Sequence, residues 1–249
     1  MMKRILIVGG ANGIGLGIAT ALAEREEVEK VYIVDKKPVD KKFQNEKFKW
    51  YYFNLDETNQ DKFFDRYMFF DRFTDIDGLI ITAGFGSLKL FKDIEASEID
   101  RYFRVNTIPT LRLIKKFYNR LDSKSDFYCG VMVSIAGHLP SPWLSVYGAT
   151  KAALKSFIAS VNVELKKSGS VNQILEVSPG HIDGTSFSGG ETNLDSVMPL
   201  AKEIIKNMEE KNDLFIPGYE EVYKEVLRRS QEDFRAEGER SYEYKKSRL

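Results

Sequence analysis

The chain has 249 residues, 43% of them hydrophobic and 30% charged, enough to bury one domain and short for two. Its formal net charge of +0 supplies no field that would draw it to nucleic acid or anionic lipid. A single cysteine, Cys129, excludes an internal disulfide, and no apolar run approaches the ~20 residues that span a bilayer. The chain enters a strand at once with no apolar leader, so a reducing, cytoplasmic setting is the expectation.

Residues 3–8 (KRILIV) read as a buried strand that runs directly into Gly9, Gly10, Ala11, Asn12, Gly13, Ile14 and Gly15, then into the helix-forming stretch GIATALAERE. Glycines let a backbone approach a ligand closely, and a new helix points unpaired N–H groups at a phosphate. The glycines fall at Gly9, Gly13 and Gly15, a different spacing from G-x-G-x-x-G. The next apolar run, 31–34, ends at Asp35, roughly 20 residues past Gly15, where a carboxylate is placed to accept from a ribose 2′-hydroxyl and to repel a 2′-phosphate. NAD is therefore expected over NADP, although Lys36 and Lys37 follow immediately.

A polar connection over 38–47 leads to a third strand, 48–53, ending at Asn54-Leu55-Asp56 on the adenine edge of such a site. Residues 58–73 read as a helix with Phe63, Tyr67 and Phe70 on one side. Phe64, Phe69 and Phe73 fall elsewhere on it, more aromatic surface than one face buries, which points to packing on the sheet plus a subunit contact. The fourth strand, 78–82, opens onto Ala83-Gly84-Phe85-Gly86. Residues 94–121 carry one long helical pattern, or two helices meeting near Asn106 and Pro109, where the proline breaks the ladder. The fifth strand, 128–134, places Cys129 as a core residue and ends at Ser134; a sixth, 171–177, ends at Ser178-Pro179-Gly180.

Between these strands lies SIAGHLPSPWLSVYGATK, from Ser134 to Lys151. On a helix starting at residue 145, Tyr147 and Lys151 share one face a turn apart. A phenol beside an ammonium has its ionised form favoured, which turns tyrosine into a usable acid or base, and Ser134 could reach the same substrate oxygen. The structural alternative for the pair is a half-buried aromatic beside a solvated charge.

Residues 183–210 are expected to form a substrate lid, its first part rich in Gly, Ser and Thr. A helix over 197–210, a short strand over 214–216 and a helix from residue 219 follow. The chain ends in a charged tail, 228–249, expected to be solvated or to touch another subunit. Strand and helix alternate throughout, so the expected fold is one α/β domain over 1–249, a Rossmann-type doubly wound parallel sheet of about seven strands. Every candidate residue then meets at the carboxyl edge of that sheet.

In this order, Gly9-xxx-Gly13-x-Gly15, Ala83-Gly84, Asn106, Ser134, Tyr147-xxx-Lys151 and Pro179-Gly180 resemble the single-domain branch of the short-chain dehydrogenase/reductase family over residues 1–185. The resemblance implies that Tyr147 is the general acid/base, that Lys151 lowers its pKa and holds the nicotinamide ribose, and that Ser134 orients the substrate oxygen. It further implies that Asn106 holds a proton-relaying water. It implies cofactor contacts at Gly9, Asn12, Gly13, Ile14, Gly15, Asp35, Asn54, Leu55, Ala83, Gly84, Tyr147, Lys151, Pro179, Gly180 and Ile182, and a homodimer or homotetramer. The chain departs from the family pattern at Val8 and at Ile81-Thr82, which stand where Thr and Asn-Asn are usual. It departs again at Thr185, displaced by one residue, and at Ile216-Pro217-Gly218 after the last strand. The expected activity is NAD(H)-dependent interconversion of a secondary alcohol and a carbonyl, with a pocket near Phe85, His138, Trp143 and Phe187 and no metal. A sugar-nucleotide epimerase or dehydratase shares Tyr-xxx-Lys, but the glycine spacing and short C-terminal part disfavour it. A dinucleotide sensor or scaffold would more naturally have lost Ser134, Tyr147 or Lys151.

Overall fold

Apolar runs without polar alternation are suited to strands covered on both faces. In the computed structural model, which describes residues 1–57, 68–185 and 191–247, such runs form β1 (Arg4–Val8), β2 (Lys30–Asp35), β3 (Phe48–Tyr52), β4 (Gly78–Ile81), β5 (Tyr128–Met132) and β6 (Ile174–Val177), with the short edge strand β7 (Leu214–Phe215). They make one sheet in the order β3-β2-β1-β4-β5-β6-β7, and every pairing is parallel. The strand order turns around between β1 and β4, where Val8 pairs with Ile81, so the loops leaving those two strands open a crevice between them. This is the Rossmann-type architecture expected.

The helices are α1 (Gly13–Ala23), α2 (Ala96–Asn106), α3 (Ile108–Lys116), the single turn α4 (Tyr118–Leu121), α5 (Ser145–Ser168), α6 (Leu194–Glu209), α7 (Lys224–Glu232) and α8 (Phe234–Lys246). On one face of the sheet, Leu16, Ile18 and Leu22 of α1 share a core with Leu200, Ala201, Ile204 and Ile205 of α6. On the other, Leu113 and Ile114 of α3 and Leu154, Ile158 and Leu165 of α5 pack with Phe70, Phe73 and Phe127. Cys129 is buried in that second core, and burial pushes its thiol up to about 12, which leaves it an inert core residue. Among the described residues no helix is long and apolar enough to cross a membrane.

One expectation falls mostly outside the described residues, one open alternative is resolved and two expectations are corrected. The helix read over 58–73 falls mostly outside the described residues, with Phe63, Phe64 and Tyr67. Its end is a 3-10 turn, Phe69–Arg72, where Phe70 and Phe73 are buried and Phe69 packs edge-on to Tyr51. These three rings serve the core, because Tyr32, Tyr51 and Phe53 of neighbouring strands receive them. Of the two readings of 94–121, that of two helices meeting near Asn106 and Pro109 holds; Pro109 itself lies in the first turn of α3, where its missing N–H has no partner to lose. The break is at Thr107, between α2 and α3.

The expected lid divides. Residues 186–190, including Phe187, lie outside the described residues, whereas α6 is a core helix with Val197, Ala201, Ile204 and Ile205 fully buried. The tail is not a solvated appendage: α7 and α8 fold back, and Glu237 is buried between Arg229 and Arg240. Ile204→Ala should lower stability by about 2–5 kcal/mol in urea denaturation, where a lid residue would leave the midpoint unmoved.

Candidate active site

The turn between β1 and α1 is pressed against the end of β4. Gly9 holds φ +92°, and a Cβ there would stand 2.5 Å from the Ala83 nitrogen. A Cβ at Gly15 would stand 2.3 Å from the Gly9 oxygen and 2.5 Å from Thr82 Oγ1, so only glycine fits either position. Thr82, standing where the family usually has Asn, donates from its hydroxyl to the Gly9 carbonyl at 2.9 Å and thereby ties the turn to β4. The side chain of Asn12 does not cap α1, and the first turn of α1 carries no acidic residue. Its leading amides are left to an acceptor from elsewhere; Gly13 N donates to Thr192 Oγ1 at 2.7 Å. Thr185, the displaced threonine, still arrives beside this turn, its Cβ 3.6 Å from where a Gly13 Cβ would be.

Asp35 closes β2 as expected, and its carboxylate accepts from Ala11 N at 3.1 Å and Lys37 N at 3.2 Å. It therefore braces the glycine turn at the carboxyl edge of the sheet. Asn54 and Leu55 follow β3 at the same edge, where Asn54 Oδ1 accepts from Asp56 N at 3.1 Å. Ile14 and Ile182 pack against the core beneath the turn.

At the centre, Ser134 follows β5 and Tyr147 and Lys151 rise from the first turns of α5. The Ser134 side chain lies beside the Tyr147 phenol and acts to lower its proton affinity. The Ser134 hydroxyl also donates to the Pro179 carbonyl at 3.3 Å and accepts from Ala136 N at 3.2 Å. Lys151 is 3% exposed; its ammonium donates to the Met132 carbonyl at 2.9 Å and lies 5.6 Å from the centre of the Tyr147 ring. Burial pushes the Tyr147 phenol up to about 12, against the lowering effect of Ser134, and pulls Lys151 down to about 8. Burial is the largest effect on each group, because removal from water disfavours a phenolate and an ammonium alike.

Asn106 is fully buried at the end of α2. Its amide accepts from Phe85 N and donates to the Phe85 carbonyl, both at 2.9 Å, and also donates to Thr150 Oγ1 at 3.3 Å. It clamps the β4 loop onto α5. A Cβ at Gly84 would stand 3.4 Å from both Asn106 Oδ1 and Lys151 Nζ, so Gly84 separates the two polar groups.

Of the expected pocket residues, Phe85 is stacked between the Tyr102 ring at 4.5 Å and the Arg101 guanidinium at 4.5 Å. His138 is turned inward: Nε2 lies 2.6 Å from Glu176 Oε1 and 3.0 Å from Ser178 Oγ, and the serine donates to the same carboxyl at 2.7 Å. Glu176 sits within an apolar run, and nothing in its neighbourhood in sequence announces a partner at residue 138. Trp143 adopts the left-handed region at φ 65° and packs 5.5 Å from the Tyr242 ring of α8. Tyr223, which sequence reasoning missed, presses on Gly180, where a Cβ would stand 1.7 Å from its hydroxyl. Among the described residues no His, Cys, Asp and Glu cluster is arranged to hold a metal ion.

A family model described as short chain dehydrogenase matches residues 3–194. An uncharacterized oxidoreductase of Saccharomyces cerevisiae is 27% identical over 219 residues, 82% of this chain and 70% of its own length. A short chain dehydrogenase from Burkholderia cenocepacia, solved in complex with NADP, superposes with a TM-score of 0.74 at 21% identity, over 96% of this chain and 97% of that one. A short chain dehydrogenase/reductase from Burkholderia phymatum, solved in complex with NAD, gives 0.75 at 16% identity, over 94% of each. At such identities these structures show a shared fold.

Replacing His138 by Ala leaves the buried Glu176 carboxyl with Ser178 as its remaining side-chain partner. The variant should lose about 1–3 kcal/mol in urea denaturation, and the double replacement His138→Leu with Glu176→Leu should recover part of that loss.

Proposed function

The chain belongs to the short-chain dehydrogenase family, a family of oxidoreductases, and on that premise we propose that it interconverts a secondary alcohol and a carbonyl using NAD(H), with Tyr147 as general acid/base. The observation that carries this reading is the placing of Ser134 beside the Tyr147 phenol with Lys151 buried one turn farther along α5, its ammonium 5.6 Å from the Tyr147 ring. Two hydroxyls and a cation then face one small volume at the carboxyl edge of the sheet.

The residues present fit a nicotinamide dinucleotide. Gly9 and Gly15 leave a cradle that a Cβ would fill, and the amides at the start of α1 suit a pyrophosphate. Lys151 uses one N–H on Met132 and keeps donors for a ribose. Asp35 accepts ribose hydroxyls, which favours NAD over NADP, since a 2′-phosphate would meet a carboxylate. When bound, the dinucleotide supplies or accepts the hydride.

The remaining chemistry belongs to side chains. Ser134 donates to the substrate oxygen and holds it toward the phenol. Tyr147 gives that oxygen a proton in reduction and takes one back in oxidation. With its phenol raised to about 12, Tyr147 is protonated at neutral pH and available as the proton donor in reduction. Lys151, charged below about 8, steadies the phenolate left behind. Asn106 keeps the β4 loop and α5 together, so that Tyr147 and Lys151 hold their places.

Tyr147→Phe should lower kcat/KM for carbonyl reduction about 100- to 10,000-fold while leaving NADH binding, followed by its fluorescence, intact; full activity in that variant would sink the reading. Alcohol oxidation, which needs the phenolate, should rise with pH, whereas reduction uses the protonated phenol and should gain nothing; a rising pH profile for reduction would contradict the assignment. Asp35→Asn keeps an acceptor but removes the charge, and should raise NADPH affinity relative to NADH by about tenfold, or about 1.4 kcal/mol.

A further inference from the structure

The segment from Tyr219 to Lys246 lies beyond the stretch matched by the family model and outside the sheet. It nevertheless touches both loops that flank Ser134 and Tyr147. On the loop before α5, a Cβ at Gly238 would meet Pro140 Cβ at 3.5 Å, Tyr242 packs on Trp143, and Lys245 Nζ donates to the Pro142 carbonyl at 3.0 Å. The segment is itself held by Glu237, which accepts from Arg229 Nε at 2.8 Å and Arg240 Nη1 at 3.0 Å. On the loop after β6, the contact is Tyr223 against Gly180.

That contact is close. A Cβ on Gly180 would lie 1.7 Å from the Tyr223 hydroxyl and 2.8 Å from its Cζ, so the phenol rests on the glycine backbone itself. Gly180 follows Pro179, whose carbonyl accepts from Ser134 Oγ at 3.3 Å. The Tyr223 hydroxyl thus stands one residue away from the carbonyl that holds Ser134. Among the described residues no group hydrogen-bonds the Tyr223 hydroxyl. Burial raises the Tyr223 phenol above its ordinary value, which keeps it an O–H donor through neutral pH.

We propose that Tyr223 is a substrate-contact residue supplied by the C-terminal segment, donating its hydroxyl to a second oxygen close to the reacting carbonyl. The substrate class is then a carbonyl compound with a neighbouring oxygen, of which 1,2-diones and 2-hydroxyketones are the smallest. A site built to hydrogen-bond a substrate oxygen discriminates against the analogue that lacks it, because the donor is otherwise left without a partner. The proposal rests on the oxidoreductase reading for the identity of the reacting group, and Gly180 explains why the position beside Pro179 tolerates no side chain.

The test compares wild type with Tyr223→Phe, which keeps the ring against Gly180, using butane-2,3-dione and butan-2-one as probes. Reduction with NADH is measured for both, and binding of the dione in the presence of NAD is measured by calorimetry. The variant should keep its melting temperature, lose about tenfold in kcat/KM and in affinity for the dione, and change within about twofold for butanone. Equal loss on both probes, equal dione binding by the two proteins, or no dione binding by wild type would each overturn the assignment. Dione binding that depends on Tyr223 without turnover of any carbonyl would support the contact while refuting the oxidoreductase reading.

Discussion

An ammonium removed from water costs far more than an apolar group of the same size, and the candidate site is assembled around one such ammonium, Lys151. Its donor at 2.9 Å to the carbonyl of Met132, the last residue of β5, pins the second turn of α5 to the strand that leads into Ser134. Tyr147 lies one turn earlier on the same helix and meets the Ser134 side chain as a consequence. The clamp is tightened from the far side. Asn106 and Thr107 at the α2 boundary bond to Thr150, between Tyr147 and Lys151, and Thr150 donates to the Tyr147 carbonyl at 2.6 Å. Burial then sets both proton affinities, pushing the phenol up and the amine down.

A second constraint governs the approach to this centre. The loop from His138 to Trp143 has no regular structure, and one of its residues, Trp143, sits in a backbone region that costs a non-glycine residue of order 1–2 kcal/mol. It is held at both ends. His138 is drawn under the loop by Glu176 and Ser178, while the Trp143 carbonyl accepts from Lys89 N at 2.7 Å and its ring meets Tyr242. The C-terminal helices therefore brace the loop before α5, and the buried Glu237 with its two arginines is the joint that keeps them there.

Much of this was legible in the sequence. The continuous apolar runs announced a parallel sheet, because strands covered on both faces have no need to alternate, and the glycine turn and Tyr-xxx-Lys spacing carried the nucleotide and proton-transfer readings through local geometry. Other features were left open or misread because neighbours in sequence do not decide them. The pattern around Pro109 is the same whether one helix breaks or a second begins there, and the surplus aromatics at Phe69, Phe70 and Phe73, expected to pack on the sheet, find their partners only when Tyr32, Tyr51 and Phe53 are seen beside them. The polar stretch before α6 invited a lid over 183–210, although the apolar face of α6 itself belongs to the α1 core. The charged C-terminal composition concealed two helices whose few apolar and small residues, Gly238 and Tyr242 among them, face the loop before α5.

By itself the sequence determined the fold class, the order of the site groups along the chain and the face shared by Tyr147 and Lys151, because each depends on periods of two or 3.6 residues that neighbours alone can set. Only the tertiary structure decided that Asn106 locks Phe85 to Thr150, that His138 pairs with Glu176 and that Tyr223 rests on Gly180. Those pairings join residues far apart in the chain, and they follow from how helices dock on the sheet and which groups burial leaves in need of a partner.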